Sequence, residues 1–470
     1  MELPVIDMPV LTRWVWMEEI TYSHIPIATL ITAFMVLAPI YEWIGYRKND
    51  IRWDRLGQGL IWFAMILFSP GAALGTGIPV FIIGAYPEFW SRWSNLFFWP
   101  LVYQFGFFLM EVFFLFFFYY LNWDSWRGRL KKWHIVCGFI AMTWGVLVQV
   151  VWDALGAYMM TPGGVALPDV EQPVGWSAAA FFNPSFPLLF SHRFVGNISY
   201  TMLLVGGVFA LRYMGTKNKE NKAYLGWAAD VTFAIGLLAY FFMPPIGWLY
   251  AEVIEHNAPV AFSAIMGGHA GPHFTVKMAL IAVFLTLASV YLFVRHRGKV
   301  LHGAVTLGII SLSWIIIVHP PLQWFGPDPL IWRAACFAAL AALIAACWLI
   351  RGRSNPEKKR WQWVMFAAGL AAFFAFALGG FVRERSKSPD TVYGEIIKPE
   401  ANQMEMDRYL VYATCTRCHG GDEPMPDDFK RYAPKDWAAR VPLELQRPGA
   451  PALSEPDVQR IVRFLEEHYP

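Results

Sequence analysis

The feature that most constrains this chain is the recurrence of apolar runs about twenty residues long. About ten occur, near residues 22–46, 57–83, 96–121, 134–158, 190–212, 226–249, 272–294, 302–319, 330–350 and 361–382. Wound as a helix at about 1.5 Å per residue, each would match the ~30 Å hydrocarbon core of a bilayer. The composition agrees, with 56% hydrophobic, 17% aromatic and only 16% charged residues. The expected fold class is therefore all-α, a polytopic membrane helical bundle of about ten transmembrane helices. Pro70 and Pro79 fall inside the second run, so that helix is expected to be kinked or broken. The start of the chain lacks the basic-then-apolar-then-small pattern of a cleaved signal, so the first run is expected to stay in the membrane. There is no internal repeat, no Gly-rich phosphate loop after a strand and no nucleic-acid motif.

The connecting loops alternate in charge. Arg47, Lys48, Arg52 and Arg55 follow the first run, and Arg127, Arg129, Lys131 and Lys132 follow the third. Arg212, Lys217, Lys219 and Lys222, then Arg295, Arg297 and Lys299, then Arg351, Arg353, Lys358, Lys359 and Arg360 follow the fifth, seventh and ninth. The other loops are neutral or acidic, with Glu88, Asp169, Glu171, Glu252, Glu255 and Asp328. The positive-inside rule assigns the basic set to the cytoplasm and both termini to the outside of a bacterial cytoplasmic membrane.

Near the end of the chain stands Cys415-Thr-Arg-Cys418-His419. Two thiols at this spacing add across the vinyl groups of a haem while the next imidazole takes the iron, the signature of c-type haem attachment. A redox CxxC would want a βαβ context, which is not visible. Covalent attachment takes place outside the membrane, in agreement with loop charges that played no part in the inference. Residues 386–406 form a polar linker after a membrane domain of residues 1–385. Residues 407–470 outline a small C-terminal cytochrome c domain: a short helix into the motif, a Pro- and Gly-rich loop, and an amphipathic helix at Glu455–His468. Met425 is the methionine after His419 and a candidate sixth ligand; a partner's residue or a five-coordinate iron are the alternatives. Cys137, Cys336 and Cys347 sit in apolar runs and read as small core residues.

Histidines are unevenly placed. His24, His192, His256, His269, His273 and His319 fall near outer helix ends or in outer loops. His134, His296 and His302 lie by the basic loops, where a solvated or interfacial role is the expectation. Ionisable groups at membrane depth are costly and so mark functional positions. An outer histidine cluster beside a tethered haem c points to non-covalent haems b near the outer surface.

Several local patterns then resemble subunit I of the cytochrome bd quinol oxidases. They are His24 inside the outer end of the first run, Leu74-Gly-Thr-Gly77, and Pro100-Leu-Val-Tyr-Gln104 leading to Phe108, Glu111 and Trp123-Asp124. Lys132-Trp-His134, Asn183-Pro, Ser191-His192-Arg-Phe-Val195, and Phe381-Val-Arg-Glu384 with Lys387-Ser-Pro389 follow in the family's order. The resemblance implies that His24 ligates an active-site haem, His192 a low-spin haem b and Glu384 the high-spin haem. Glu111 sits near an acid of the family's proton path. His24, Glu384 and Glu111 are thus the candidate catalytic residues. Ile254-Glu255 resembles the start of the quinol-binding loop.

The departures matter as much. Gln104 stands where the family has a glutamate facing the haem, and Tyr250 where the quinol loop has a lysine. The rest of that loop is replaced by two runs, 272–294 and 302–319. The segment from Pro329 to Arg351 lacks the family's methionine ligand, which Met278, His273 or His269 could replace. The cytochrome c segment takes the place of the last helix. A divergent branch with a fused cytochrome c is the better match, which weighs against quinol oxidation and against haem d.

Three functions remain open. In the first, a bd-like terminal oxidase takes electrons from a soluble or subunit cytochrome c through haem c and two or three haems b to oxygen, with protons drawn from inside past Glu111. In the second, the chain is an electron conduit between quinol, oxidised near Glu252 and Glu255, and an external acceptor. In the third, it is a haem-bearing anchor in a larger respiratory complex. The expected partners are membrane lipid, a second related membrane subunit and a cytochrome c, with quinol as a further candidate.

Overall fold

In the computed structural model, residues 13–162, 176–258, 262, 265, 271–295, 359–385, 410–411, 414–415, 436–446, 453 and 455–468 are described. They are helical, with no strand among them. The chain runs through α1 (Arg13–Lys48), α2 (Ile51–Ala85), α3 (Pro87–Leu96) and α4 (Phe98–Phe113), which continues as a π turn over Phe114–Tyr120. Then come α5 (Lys131–Tyr158), the short α6 (Ala178–Phe181), α7 (Phe186–Gly215), α8 (Lys219–Phe241) and α9 (Met243–Asn257). Next are α10 (Gly271–Arg295), α11 (Lys359–Arg385), α12 (Trp437–Glu444) and α13 (Glu455–His468). Seven stretches among the described residues are long and apolar enough to cross a membrane. The protein is a multi-pass membrane helical bundle. The run at 272–294 is helical as α10, and the runs at 302–319 and 330–350, with the linker 386–406, lie outside the described residues.

Local chemistry sets the helix boundaries. Asn49 takes a left-handed φ of 51°, closing the turn between α1 and α2. Asp50 then caps α2, accepting the Arg52 amide at 3.0 Å. The Arg52 guanidinium also holds the Asp50 carboxyl below the usual carboxylate range. Asn218 caps α8 in the same way, at 3.1 Å to Asn221 N. The expected break in the second run does not occur: α2 is continuous through Pro70 and Pro79. Proline inside a helix is tolerated more readily in transmembrane helices than in soluble ones. The run at 226–249 is instead split between α8 and α9, where Pro244 and Pro245 open the second helix.

Small residues let the helices meet. A Cβ built at Gly57 of α2 would stand 2.9 Å from the Ala38 carbonyl oxygen of α1. One at Gly236 of α8 would stand 2.9 Å from the Leu203 nitrogen of α7, and one at Gly369 of α11 would stand 2.8 Å from the Leu203 oxygen. Close backbone approach of this kind drives association where lipid removes the hydrophobic incentive. Leu203, Phe233, Phe284, Tyr291, Met365 and Ala368 form one core joining α7, α8, α10 and α11. The outward face of α4 carries exposed Phe98, Trp99, Tyr103, Phe105 and Leu109, a surface suited to lipid or a partner subunit rather than water.

Glu455–His468 is the helix expected from the sequence, and it packs with α12 into a separate apolar cluster. That cluster contains Leu410, Val411, Trp437, Ile461, Phe464 and Leu465, with Cys415 at its edge.

Gly369→Val should force α7 and α11 apart. We expect a loss of about 1–3 kcal/mol, the usual range for overpacking, read as a lowered thermal midpoint in detergent or nanodiscs, with Gly77→Ala, whose Cβ meets nothing within 4 Å, as a near-neutral control.

Candidate functional site

Two clusters of polar side chains lie at opposite ends of the bundle, joined by one face of α5. At one end, His24 of α1 sits against α2. Its Nδ1–H donates to the Gly71 carbonyl at 3.0 Å, since a carbonyl can only accept. This fixes the tautomer and leaves Nε2 with the lone pair, the state an axial iron ligand requires. A Cβ at position 75 would stand 2.7 Å from the ring's Cε1, so only glycine leaves room for the imidazole. Gly75 belongs to the Leu74–Gly77 pattern in the sequence.

His192 of α7 is half-buried and faces α9. Its Nε2 lies 3.5 Å from where a Cβ at Gly247 would be, and its ring stacks with Tyr250 at 6.1 Å. Gly247 thus keeps the approach to that nitrogen open, and the residues present fit a haem ligand. The Lys277 ammonium, one position before the buried Met278, acts on the His192 ring from α10. Lys277 also rests against Gly379 of α11, 3.3 Å from its Cβ position. His273 packs on Phe381 at 4.5 Å, and Phe381 packs on Tyr22 at 5.3 Å. The ends of α1, α10 and α11 that carry His24, His273 and Glu384 therefore converge. Met278 lies on the same helix as His273, and α10 packs mainly against α11, with Tyr291 and Phe284 reaching Asp230 and Tyr240 of α8. Glu384 lies in the last turn of α11, and its side chain lies outside the described residues.

The Arg383 guanidinium reaches α5, 2.6 Å from a Cβ position at Gly156. There it lies near Asp153, which is fully buried and paired with Arg193. Gln149 donates to Asp153 at 3.0 Å and accepts from Asn197 at 3.2 Å. The spacing of Gln149 and Asp153, one turn apart on an apolar run, was the available signal for this network, and sequence reasoning passed over it.

Glu111 lies midway along the bundle and is 7% exposed. Its Oε1 is 3.3 Å from a Cβ position at Gly145 of α5, beside Met35 of α1.

At the other end, His134 overturns an expectation. It is not solvated but wholly buried, its Nδ1 2.5 Å from Glu42 Oε1 and its Nε2 2.8 Å from the Tyr119 carbonyl. Lys131 bridges Glu42 at 2.6 Å and Asp54 at 2.7 Å. The basic residues beside His134 made a solvated loop the natural reading; the buried acid that answers them, Glu42, comes from 92 residues earlier. Cys137 is half-buried on α5, and Cys336 and Cys347 lie outside the described residues. Cys415 is half-buried beside its apolar cluster, whereas Cys418, His419 and Met425 lie outside the described residues.

Residues 11–415 match the family model described as cytochrome bd terminal oxidase subunit I. Among solved structures, the bd oxidase from Geobacillus thermodenitrificans is similar, with a TM-score of 0.56 over 85% of this chain and 92% of that chain, at 16% identity. At that identity the likeness speaks to the fold alone. No curated protein matches the chain. With the family match spanning all of the described membrane helices, the chain belongs to the cytochrome bd terminal oxidase subunit I family, whose members are membrane oxidoreductase subunits carrying b-type haems.

Proposed function

We propose that the chain is the haem-bearing subunit of a divergent terminal oxidase that passes electrons from a cytochrome c donor to oxygen, with a second membrane subunit beside it. The observation that carries this reading is His24, whose Nδ1–H is tied to Gly71 and whose Nε2 is left for iron. In this reading the basic-loop end faces the cytoplasm and both termini face outward. Residues 1–385 are the membrane domain, 386–406 the linker and 407–470 a cytochrome c domain. Haems at these positions supply one-electron transfer and oxygen binding.

The chain's own residues then have defined tasks. His24 holds one haem b by Nε2. His192 would hold a low-spin haem b, for which Met278 or His273 is the further candidate ligand. Glu384 would offer a hard carboxylate oxygen to the iron of a high-spin haem, which would supply oxygen binding. Cys415 and Cys418 form thioethers, His419 is the proximal ligand, and Met425 is the candidate sixth ligand. Glu111, out of water in the bundle interior, takes up and releases a proton on the way to the oxygen site. The absent family glutamate at Gln104 and the lysine position held by Tyr250 weigh against quinol as donor and against haem d. A conduit that oxidises quinol finds its support at α9, where Trp248 donates to Glu252 at 2.6 Å on an exposed face.

An optical spectrum with carbon monoxide and oxygen uptake with reduced cytochrome c test the reading together. An open iron and steady uptake are expected; no uptake with any reduced cytochrome sinks the oxidase in favour of the conduit. Three substitutions assign the haems. Cys415→Ala with Cys418→Ala should abolish haem staining in a denaturing gel, and retained staining refutes covalent attachment. His192→Ala should remove one b-type signal and leave the c signal, so an unchanged b content contradicts the ligand role. Glu384→Gln should remove a high-spin haem and oxygen uptake together. A mere surface ion pair is worth under about 1 kcal/mol and would tolerate the change.

A further inference from the structure

One face of α5 carries, in order, Lys131, His134, Gly138, Ala141, Gly145, Gln149, Asp153 and Gly156, at steps of three or four residues. Such spacing places them in one stripe. Small residues fill its middle, and side chains from other helices lie over them. Tyr119 covers Gly138, with ring atoms 2.5 and 2.7 Å from the Cβ position, and Glu111 covers Gly145. The stripe begins at the buried cluster of Glu42, Asp54, Lys131 and His134.

The hydrogen-bond geometry there counts protons. His134 Nε2 faces a carbonyl oxygen and must donate to it. Nδ1 and the Glu42 carboxylate oxygen are 2.5 Å apart. Two bare lone pairs would repel at that distance, so one further proton lies between them, on nitrogen or on oxygen. The charges agree. With that proton present, the acids Glu42 of α1 and Asp54 of α2 face the cations Lys131 and His134 of α5; without it, a net negative charge is buried. The remaining titratable neighbour is the Tyr119 phenol from the π turn. Its hydroxyl and Glu42 Oε2 are both buried without a hydrogen-bond partner among the described residues, and the two groups lie within interaction range.

We propose that Glu42 and His134 are a proton-loading pair, connected outward through Lys131 and Asp54, that supplies Glu111 along the small-residue stripe of α5. Its use rests on the oxidase reading; its existence does not. Glu42 and His134 are wholly buried, whereas the Lys131 and Asp54 side chains are 16% and 22% exposed, so water reaches only that edge. In loading, a proton from water comes to lie between Glu42 Oε1 and His134 Nδ1, closing their hydrogen bond. In unloading, it leaves past the Tyr119 phenol to the Glu111 carboxylate, and the Glu42 carboxylate and neutral imidazole, no longer hydrogen-bonded, separate. No electron moves in either step. His134 and Gly145 are eleven positions apart, roughly 16 Å along the helix at about 1.5 Å per residue, with the Tyr119 ring over Gly138 between them.

Infrared difference spectroscopy of the purified full-length holoprotein, titrated with pH in H2O and D2O, tests the pair without requiring turnover. A titrating carboxyl signal is expected in the parent, absent in Glu42→Gln and displaced in His134→Gln, with the haem spectra unchanged. A carboxyl signal indifferent to both substitutions overturns the proposal. Oxygen uptake across pH tests its use: both variants should slow by about a hundredfold on the alkaline side, the low end of what a positioned proton carrier contributes, and an unchanged profile overturns the supply role. If the parent takes up no oxygen, the oxidase reading and the supply role fall, and the infrared result still decides the pair. Should Glu42→Gln fail to assemble, Asp54→Asn at the water-facing edge carries the test, with slowed deuterium exchange of the carboxyl signal expected and unchanged exchange as refutation.

Discussion

In hydrocarbon, helices gain nothing by hiding leucine from water, so this bundle depends on how closely its backbones approach. Gly57 against Ala38, Gly236 and Gly369 against Leu203, and Gly138 under Tyr119 are the points where a single methyl group would collide with its neighbour. Three other glycines do more than tighten packing. Each leaves a side chain off one helix so that a polar group from another can occupy the space: the His24 ring over Gly75, the Glu111 carboxylate over Gly145, the Arg383 guanidinium over Gly156. These three glycines lie on α2 and α5, and the polar side chains come from α1, α4 and α11.

Much of this was legible in the sequence because it is periodic or local. Apolar runs announced the helices, and α13 was readable from its own amphipathic pattern. His24 and His192 stood out because imidazoles are scarce in such runs. What was not legible depends on residues far apart in the chain. Nothing near His134 says that Glu42 and the Tyr119 carbonyl will enclose it, so a basic neighbourhood read as a wet one. Nothing beside Arg383 in the chain announces that its guanidinium will lie against Gly156 of α5. Asp153 was overlooked because its partners, Arg193 and Arg383, arrive from α7 and α11.

Arg193, Arg383 and Lys277 gather charge at the end of the bundle where His24 and His192 lie, answered among the described residues by Asp153. Buried charge of that kind holds helices in one arrangement as well as stabilising them, because a helix that slid or rotated would strip its partner. The acid–base cluster at the opposite end imposes the same condition on α1, α2 and α5.

The π turn at Phe114–Tyr120 has a consequence for what the chain can tolerate in length. A π turn holds one residue more than the α-helix it interrupts, and its end leaves the Tyr119 carbonyl outside the helical ladder, where His134 takes it up. Removing one residue from this aromatic segment would let the helix close into ordinary α geometry without breaking it. Every later residue would then turn by about 100°, taking Tyr119 and Trp123 off the His134 ring. The segment is thus a phase adjuster: the number of its residues is no freer to vary than the identity of Tyr119 within it.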